Sequence, residues 1–252
     1  MLLNGVENML TVLENEKLKV QINSIGAELW SVIDKKTGYE YIWQGNESVW
    51  EWRAPILFPQ CGAYPDGYIQ DNRRYHLQMH GFAREKAFSF IHPGTFCLES
   101  DKSTYLCYPY DFSLVVSFVL NDRTLTQTAL LTNTGKSFMP FSLGFHTGYN
   151  KFPDTRLRLG DRETLLDDEQ LSVTRFFHGL QTGDFGLSDL VHVKTEGCVS
   201  LVLWSAKNGH DCMACLEPRT DQACTRTGFP FSKTLQAGAT YILRQGIEFF
   251  PG

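Results

Sequence analysis

The sequence predicts an all-β protein, a large antiparallel β-sandwich, and three observations carry that expectation. Short apolar runs bounded by turn residues recur along the whole 252-residue chain, which is a strand signature. Alternation of period two is clearest in Phe112, Leu114, Val116 and Phe118, which would line one face of a half-buried strand. Aromatic residues reach 13%, with 18 Phe, 10 Tyr and 5 Trp, a content that suits two broad sheets packed face to face and a concave surface lined with rings.

The elements follow in order. Residues 9–13, 18–22 and 28–33 read as a β-meander, with Glu14-Asn15-Glu16 as its first turn and Lys35-Lys36-Thr37-Gly38 closing a second hairpin before the aromatic run 39–43. Residues 88–91, 105–107, 112–120, 125–131 and 138–143 continue the pattern, and Asn121-Asp122 marks a hairpin between two of them. Residues 199–204, 212–216 and 240–249 are strands of the same kind, whereas helical periodicity is confined to a short segment at 162–170. The stretch 50–84 crowds Pro, Gly, His, Arg and aromatic residues with little strand pattern, as functional loops do. No repeat or Pro/Gly-rich linker divides the chain, so residues 1–252 are expected to form one domain.

Composition narrows the function classes. A net charge of -5 without a basic block gives no electrostatic footprint for nucleic acid or an anionic membrane, leaving a small, uncharged or weakly charged partner. Asn4, Glu7 and Asn8 interrupt the apolar residues near the amino terminus, and no apolar run reaches the length of a membrane span, so a cytoplasmic protein is expected. The seven cysteines lack the paired spacing of a disulfide framework. Cys212 and Cys215 form a C-x-x-C inside an apolar stretch, read here as ordinary buried or half-buried thiols of a strand, and no second ligand pair completes a zinc knuckle. Neither a nucleotide-binding glycine motif nor a G-x-S-x-G elbow is present, and no metal site follows from histidine spacing. What remains is acid/base chemistry on a small molecule without metal or cofactor, or binding alone.

Three residues can carry such chemistry. His80 precedes Gly81 and stands close to Arg84 in a tight-turn string, where an imidazole can also serve only to satisfy a loop. His146 follows a strand and is flanked by Gly144 and Gly148; an ordinary histidine exchanges protons near neutral pH, and a structural role is equally open. Glu217 ends an apolar strand before Pro218, the position of either a buried network's edge or a general base.

Taken in order, Gly26-Ala27-Glu28-Leu29, the run 37–45, Ala54-Pro55-Ile56-Leu57-Phe58-Pro59, His80-Gly81-Phe82-Ala83-Arg84, Asn133-Thr134-Gly135, Gly144-Phe145-His146 and Leu216-Glu217-Pro218 resemble the aldose 1-epimerase (galactose mutarotase-like) family, in its shorter bacterial branch. The resemblance implies a large β-sandwich with a sugar bound in an open cleft on one sheet. It implies an isomerase interconverting the α and β anomers of an aldohexose, with Glu217 as base, His146 as acid for the ring oxygen and His80 holding the sugar. Arg84, Arg53, Trp43 and Asp189 would bind substrate, with Asp184 the alternative aspartate and Trp50 or Trp52 alternative stacking platforms. A related branch acts on hexose 6-phosphates, and Arg53, Arg73, Arg74 and Arg84 fall in one segment, so that substrate and a non-catalytic carbohydrate-binding role stand as alternatives. Two positions depart from the family pattern: Thr147 stands where proline is common, and Arg219 where an aromatic residue is common.

Overall fold

The computed structural model describes residues 9–179, 183–221 and 230–251. Its two principal sheets are antiparallel. The nine-stranded sheet is built around the hairpin of Phe112–Asn121 and Thr124–Asn133, which turns at Asp122 in the left-handed region, with φ +53°. Thr240–Phe249 pairs along the other side of Thr124–Asn133. The expected alternation is realised: Phe112, Leu114, Val116 and Phe118 are buried, as are Leu125, Ala129 and Leu131 on the partner strand. Buried Gln127 is matched by Gln245 across the ladder, whose amide donates to it at 2.7 Å.

The second sheet has six strands, ordered Arg175–His178, Ser200–Trp204, Met213–Arg219, Gly144–Phe145 and Ile56–Leu57, with Thr147–Asn150 also paired to Met213–Arg219. One large hydrophobic core unites inward residues of both sheets, including Leu114, Val116, Leu243 and Ile247 from the first and Phe145, Leu201, Leu203, Ala214 and Leu216 from the second. The same period of two sends Met213 and Cys215 to the opposite face, where they pack in a smaller cluster with Trp43, Ala206, Trp50 and Trp204. Glu217 and Arg219 continue that outer face, which is the one that matters for function.

Several expectations are corrected. Residues 162–170 do not form one helix: Arg162–Leu165 is an edge strand paired with Arg156–Leu159 through a turn at Gly160 (φ +56°), and only Asp168–Leu171 is helical. Residues 105–107 are not a strand, because Asp101 and Thr104 form a reciprocal capping box that opens a helical turn at Lys102–Tyr105. The run 39–43 makes only isolated bridges, Ile33 to Glu40 and Ile42 to Tyr149. Within 50–84 lie strand Ile56–Leu57 and a hairpin of Tyr68–Gln70 with Arg73–Tyr75. Cys215 is buried but Cys212 is exposed, and both are free thiols; Cys224 lies outside the described residues. Among the described residues no helix is long and apolar enough to cross a membrane.

Candidate active site

Strand register brings the first two groups together. Gly144 faces Arg219 and Thr147 faces Leu216, a single register that sets His146 beside Glu217 on the neighbouring strand. His146 Nε2 lies 3.4 Å from Glu217 Oε1. The backbone N–H of His146 donates to the Pro55 carbonyl at 3.1 Å, and its ring stacks on Trp50, with centroids 4.9 Å apart and planes at 26°. Trp204 meets the same ring edge-on at 5.7 Å.

His80 arrives from the loop that follows the Arg73–Tyr75 hairpin. It adopts φ +68° and is followed by Gly81 at φ +75°, where a Cβ would collide with the Phe58 carbonyl oxygen, so that glycine is a steric requirement of the turn. The turn places the His80 ring edge-on to His146, with centroids 5.3 Å apart. Gly62 N–H donates to His80 Nδ1 at 2.9 Å, which makes Nδ1 an acceptor and assigns the ring hydrogen of the neutral form to Nε2.

Around these groups lies a cavity of about 410 Å³, a size suited to a small ligand, with Trp50, Trp52, Phe176 and Trp204 among its walls. Arg84 lines it from the short 3₁₀ turn Ala83–Glu85, its guanidinium 4.4 Å from the Trp52 ring centroid. Its Nε is buried without a hydrogen-bond partner, and the nearest carboxylate oxygen, Glu85 Oε1, is 3.8 Å away.

Burial decides the protonation of both imidazoles. His80 is pushed down to about 2 by burial, with the neighbouring His146 adding to the effect against an opposing pull from Glu217. His146 is held well below the ordinary histidine value by burial first, then by the positive charges of Arg219 and Arg84. The adjacent Glu217 does not reverse this, because its charge is already met by Arg219, whose Nε donates to Oε2 at 3.0 Å and whose Nη2 donates to the same oxygen. Both rings are therefore neutral at pH 7 in the free protein, a correction to the expectation that His146 titrates near neutrality without tuning. Among the described residues no group of three or more His, Cys, Asp or Glu side chains is placed to hold a metal ion.

A family model for aldose 1-epimerase matches residues 9–230. The chain belongs to that family. The plasmid-encoded protein LacX of Lactococcus lactis subsp. lactis is 31% identical over 259 residues, covering 82% of this chain and 86% of that protein. A galactose mutarotase-like protein from Lactobacillus casei superposes with a TM-score of 0.82 at 26% identity, covering 95% of this chain and 99% of the other. A galactose 1-epimerase from Lactobacillus acidophilus shares the fold at a TM-score of 0.70 and 13% identity, covering 96% and 94%.

Against the roles the epimerase family implies, the structure gathers Glu217, His146, His80 and Arg84 around one cavity, together with Trp50 and Trp52. It places the other three elsewhere. Arg53 packs over Trp30 at 3.7 Å and donates to the Trp30 carbonyl and to Gln44, so its guanidinium is occupied away from the cavity wall. Trp43 lies behind Trp50, donating from Nε1 to the Trp50 carbonyl at 2.8 Å; it supports the stacking ring and does not line the cavity. Asp189 is an exposed residue at φ +62° in the turn between Asp184–Leu187 and Val191–Glu196 of the nine-stranded sheet, and Asp184 pairs there with His192 and Arg158. The cavity residues that were not singled out from the sequence as site residues include Phe176, Trp204 and Arg219. Arg219 stands two positions past Glu217 in one strand, so the period of two was sufficient to place it on the same face.

Proposed function

We propose that the protein is a cofactor-free aldose 1-epimerase that interconverts the anomers of an uncharged aldohexose. The observation that carries this reading is the juxtaposition of His146 Nε2 and Glu217 Oε1 at 3.4 Å beside an aromatic-walled cavity that also holds His80 and Arg84. Glu217 takes the proton of the anomeric hydroxyl as the bond from C1 to the ring oxygen breaks, and His146, which has first taken up a second proton from solvent, delivers that proton to the ring oxygen and returns to the neutral form. Rotation about the bond between C1 and C2 and closure from the other face invert the anomeric centre, after which the two groups exchange roles. His80 donates from Nε2 and Arg84, at the cavity wall, from its guanidinium to sugar oxygens. A positioned acid and base of this kind contribute about 10² to 10⁴-fold each.

An uncharged sugar is favoured over a hexose 6-phosphate by the fate of the arginines. Arg53 is engaged by Trp30 and Gln44, Arg74 donates to the Asp66 carbonyl and Arg73 lies over Tyr75, which leaves Arg84 alone of the four at the cavity. Polarimetry on freshly dissolved α-glucose, compared with galactose and glucose 6-phosphate, tests the assignment. Glu217→Gln is expected to abolish the enzymatic change in rotation while the protein stays folded. An undiminished rate in that variant removes the mechanism, and a wild-type protein that binds sugars without accelerating mutarotation is a carbohydrate-binding protein on the same fold.

A further inference from the structure

Glu217 has two oxygens, and the structure treats them differently. Oε2 accepts from both Nε and Nη2 of Arg219, so one edge of the guanidinium converges on a single oxygen, while Oε1 is left facing His146 Nε2. Both side chains are almost fully buried, at 1% exposure for Glu217 and 7% for Arg219. A carboxylate in such a place can turn about its terminal torsion, exchanging which oxygen meets the ligand, unless something holds it.

We infer that Arg219 is a positioning residue of this site: by capping Oε2 it fixes the carboxylate plane and reserves Oε1 as the one oxygen that receives the anomeric proton. The inference rests on the epimerase reading above and adds a residue to it.

The surroundings of Arg219 support a dedicated role. Burial alone works against its charge, and the carboxylate of Glu217 more than offsets this, with Cys61 and Asp221 adding to the effect from nearby. Asp221 is itself buried, at 8% exposure, two residues further along the chain. The guanidinium is directed at Glu217, whose Oε2 accepts both of its side-chain hydrogen bonds. Strand geometry makes this economical, because residues two apart in Met213–Arg219 project from one face. Gly144, opposite Arg219 in the ladder, leaves the space that the arginine stem fills, since a Cβ there would press on Arg219 Cγ at 3.1 Å. The same positive charge helps hold His146 neutral, so Arg219 acts on both partners of the acid/base pair.

The test compares wild type, Arg219→Ala and Arg219→Lys by polarimetry, with kcat and KM determined separately and with guanidinium chloride added at tens of millimolar. Arg219→Ala is expected to lower kcat by on the order of a hundredfold, as displaced catalytic groups do, with KM little changed. Free guanidinium should restore part of that rate in Arg219→Ala and none in wild type, which a merely structural loss would not show. Arg219→Lys keeps a charge without the fork and should fall between the two; it also serves if the alanine variant does not fold. A kcat preserved in Arg219→Lys and unaffected by guanidinium in Arg219→Ala overturns the inference. If wild type turns over no aldose, the epimerase reading fails on its own, and crystal structures of wild type and Arg219→Lys then decide the positioning role. A Glu217 carboxylate that keeps its place in both refutes it; one that turns away from His146 in the variant upholds it.

Discussion

The neutral, buried imidazoles make stability depend on pH in a direction and amount that can be worked out. An unfolded histidine takes up its proton near pH 6.5, whereas His80 is pushed down to about 2 and His146 well below its ordinary value in the folded protein. Below pH 6.5 the unfolded chain therefore binds more protons at these positions than the native protein, so stability must fall as pH falls. Between pH 7.5 and 5.5 His80 costs about 1.4 kcal/mol, the value of RT ln(1 + 10) at one unit below the unfolded pKa, and His146 adds a loss in the same direction. That figure does not depend on how far below 5.5 the folded value of His80 lies. For a chain of this size the His80 share alone corresponds to a drop in Tm of roughly 3–6 °C.

The comparison that isolates the effect is wild type against His80→Asn/His146→Gln. An Asn oxygen can accept from Gly62 as His80 Nδ1 does, and a Gln amide reaches toward Glu217 where His146 Nε2 lies. Glu28, Glu40 and Asp221, whose carboxyls burial raises, titrate in the opposite sense but are common to both proteins and cancel in the difference. Thermal unfolding followed by circular dichroism at the two pH values should show the extra loss in wild type alone. An equal pH dependence in both proteins would refute the neutral assignment of the two rings.

The remaining expectations are shorter. If ring opening needs a second proton on His146 and burial makes that proton scarce, kcat/KM should rise by nearly tenfold for each unit the pH is lowered from 8 toward 6.5; a flat stopped-flow polarimetric profile contradicts this. Gly81→Ala should destabilise the protein by at least about 1 kcal/mol in urea unfolding and lower kcat, because a Cβ at φ +75° meets the Phe58 carbonyl and displaces His80. Asp189→Asn should leave kcat and KM unchanged, since asparagine tolerates the left-handed turn and the residue is not at the cavity; a several-fold rise in KM would return Asp189 to the substrate.

How much of this was legible in the sequence varied with the range of the physics involved. The hairpins at Asn15 and Asp122 were readable because turn chemistry and flanking alternation are local. Strand Arg162–Leu165 was not, because all four residues are exposed on a sheet edge and carry no apolar alternation to distinguish a strand from a polar helix. Glu217, His146 and His80 could be named from short strings, but the placement of the binding residues could not. Arg53 and Arg84 are both arginines beside aromatic residues, and only tertiary packing sends one onto Trp30 and the other onto Trp52 at the cavity wall.

The protonation of the site was the least legible property, and the reason is physical. A sequence names a histidine but not its neighbours, and the shift at His146 arises from the Trp50 stack, the edge of Trp204 and two arginines that approach from residues 84 and 219. Each of these contacts removes water or adds positive charge, so each acts against a second proton on the ring. His146 is thus an imidazole that accepts a second proton reluctantly, which makes its imidazolium a strong acid once formed. In the proposed reaction opening the hemiacetal calls on such an acid, and the same burial that costs stability below pH 6.5 would supply it.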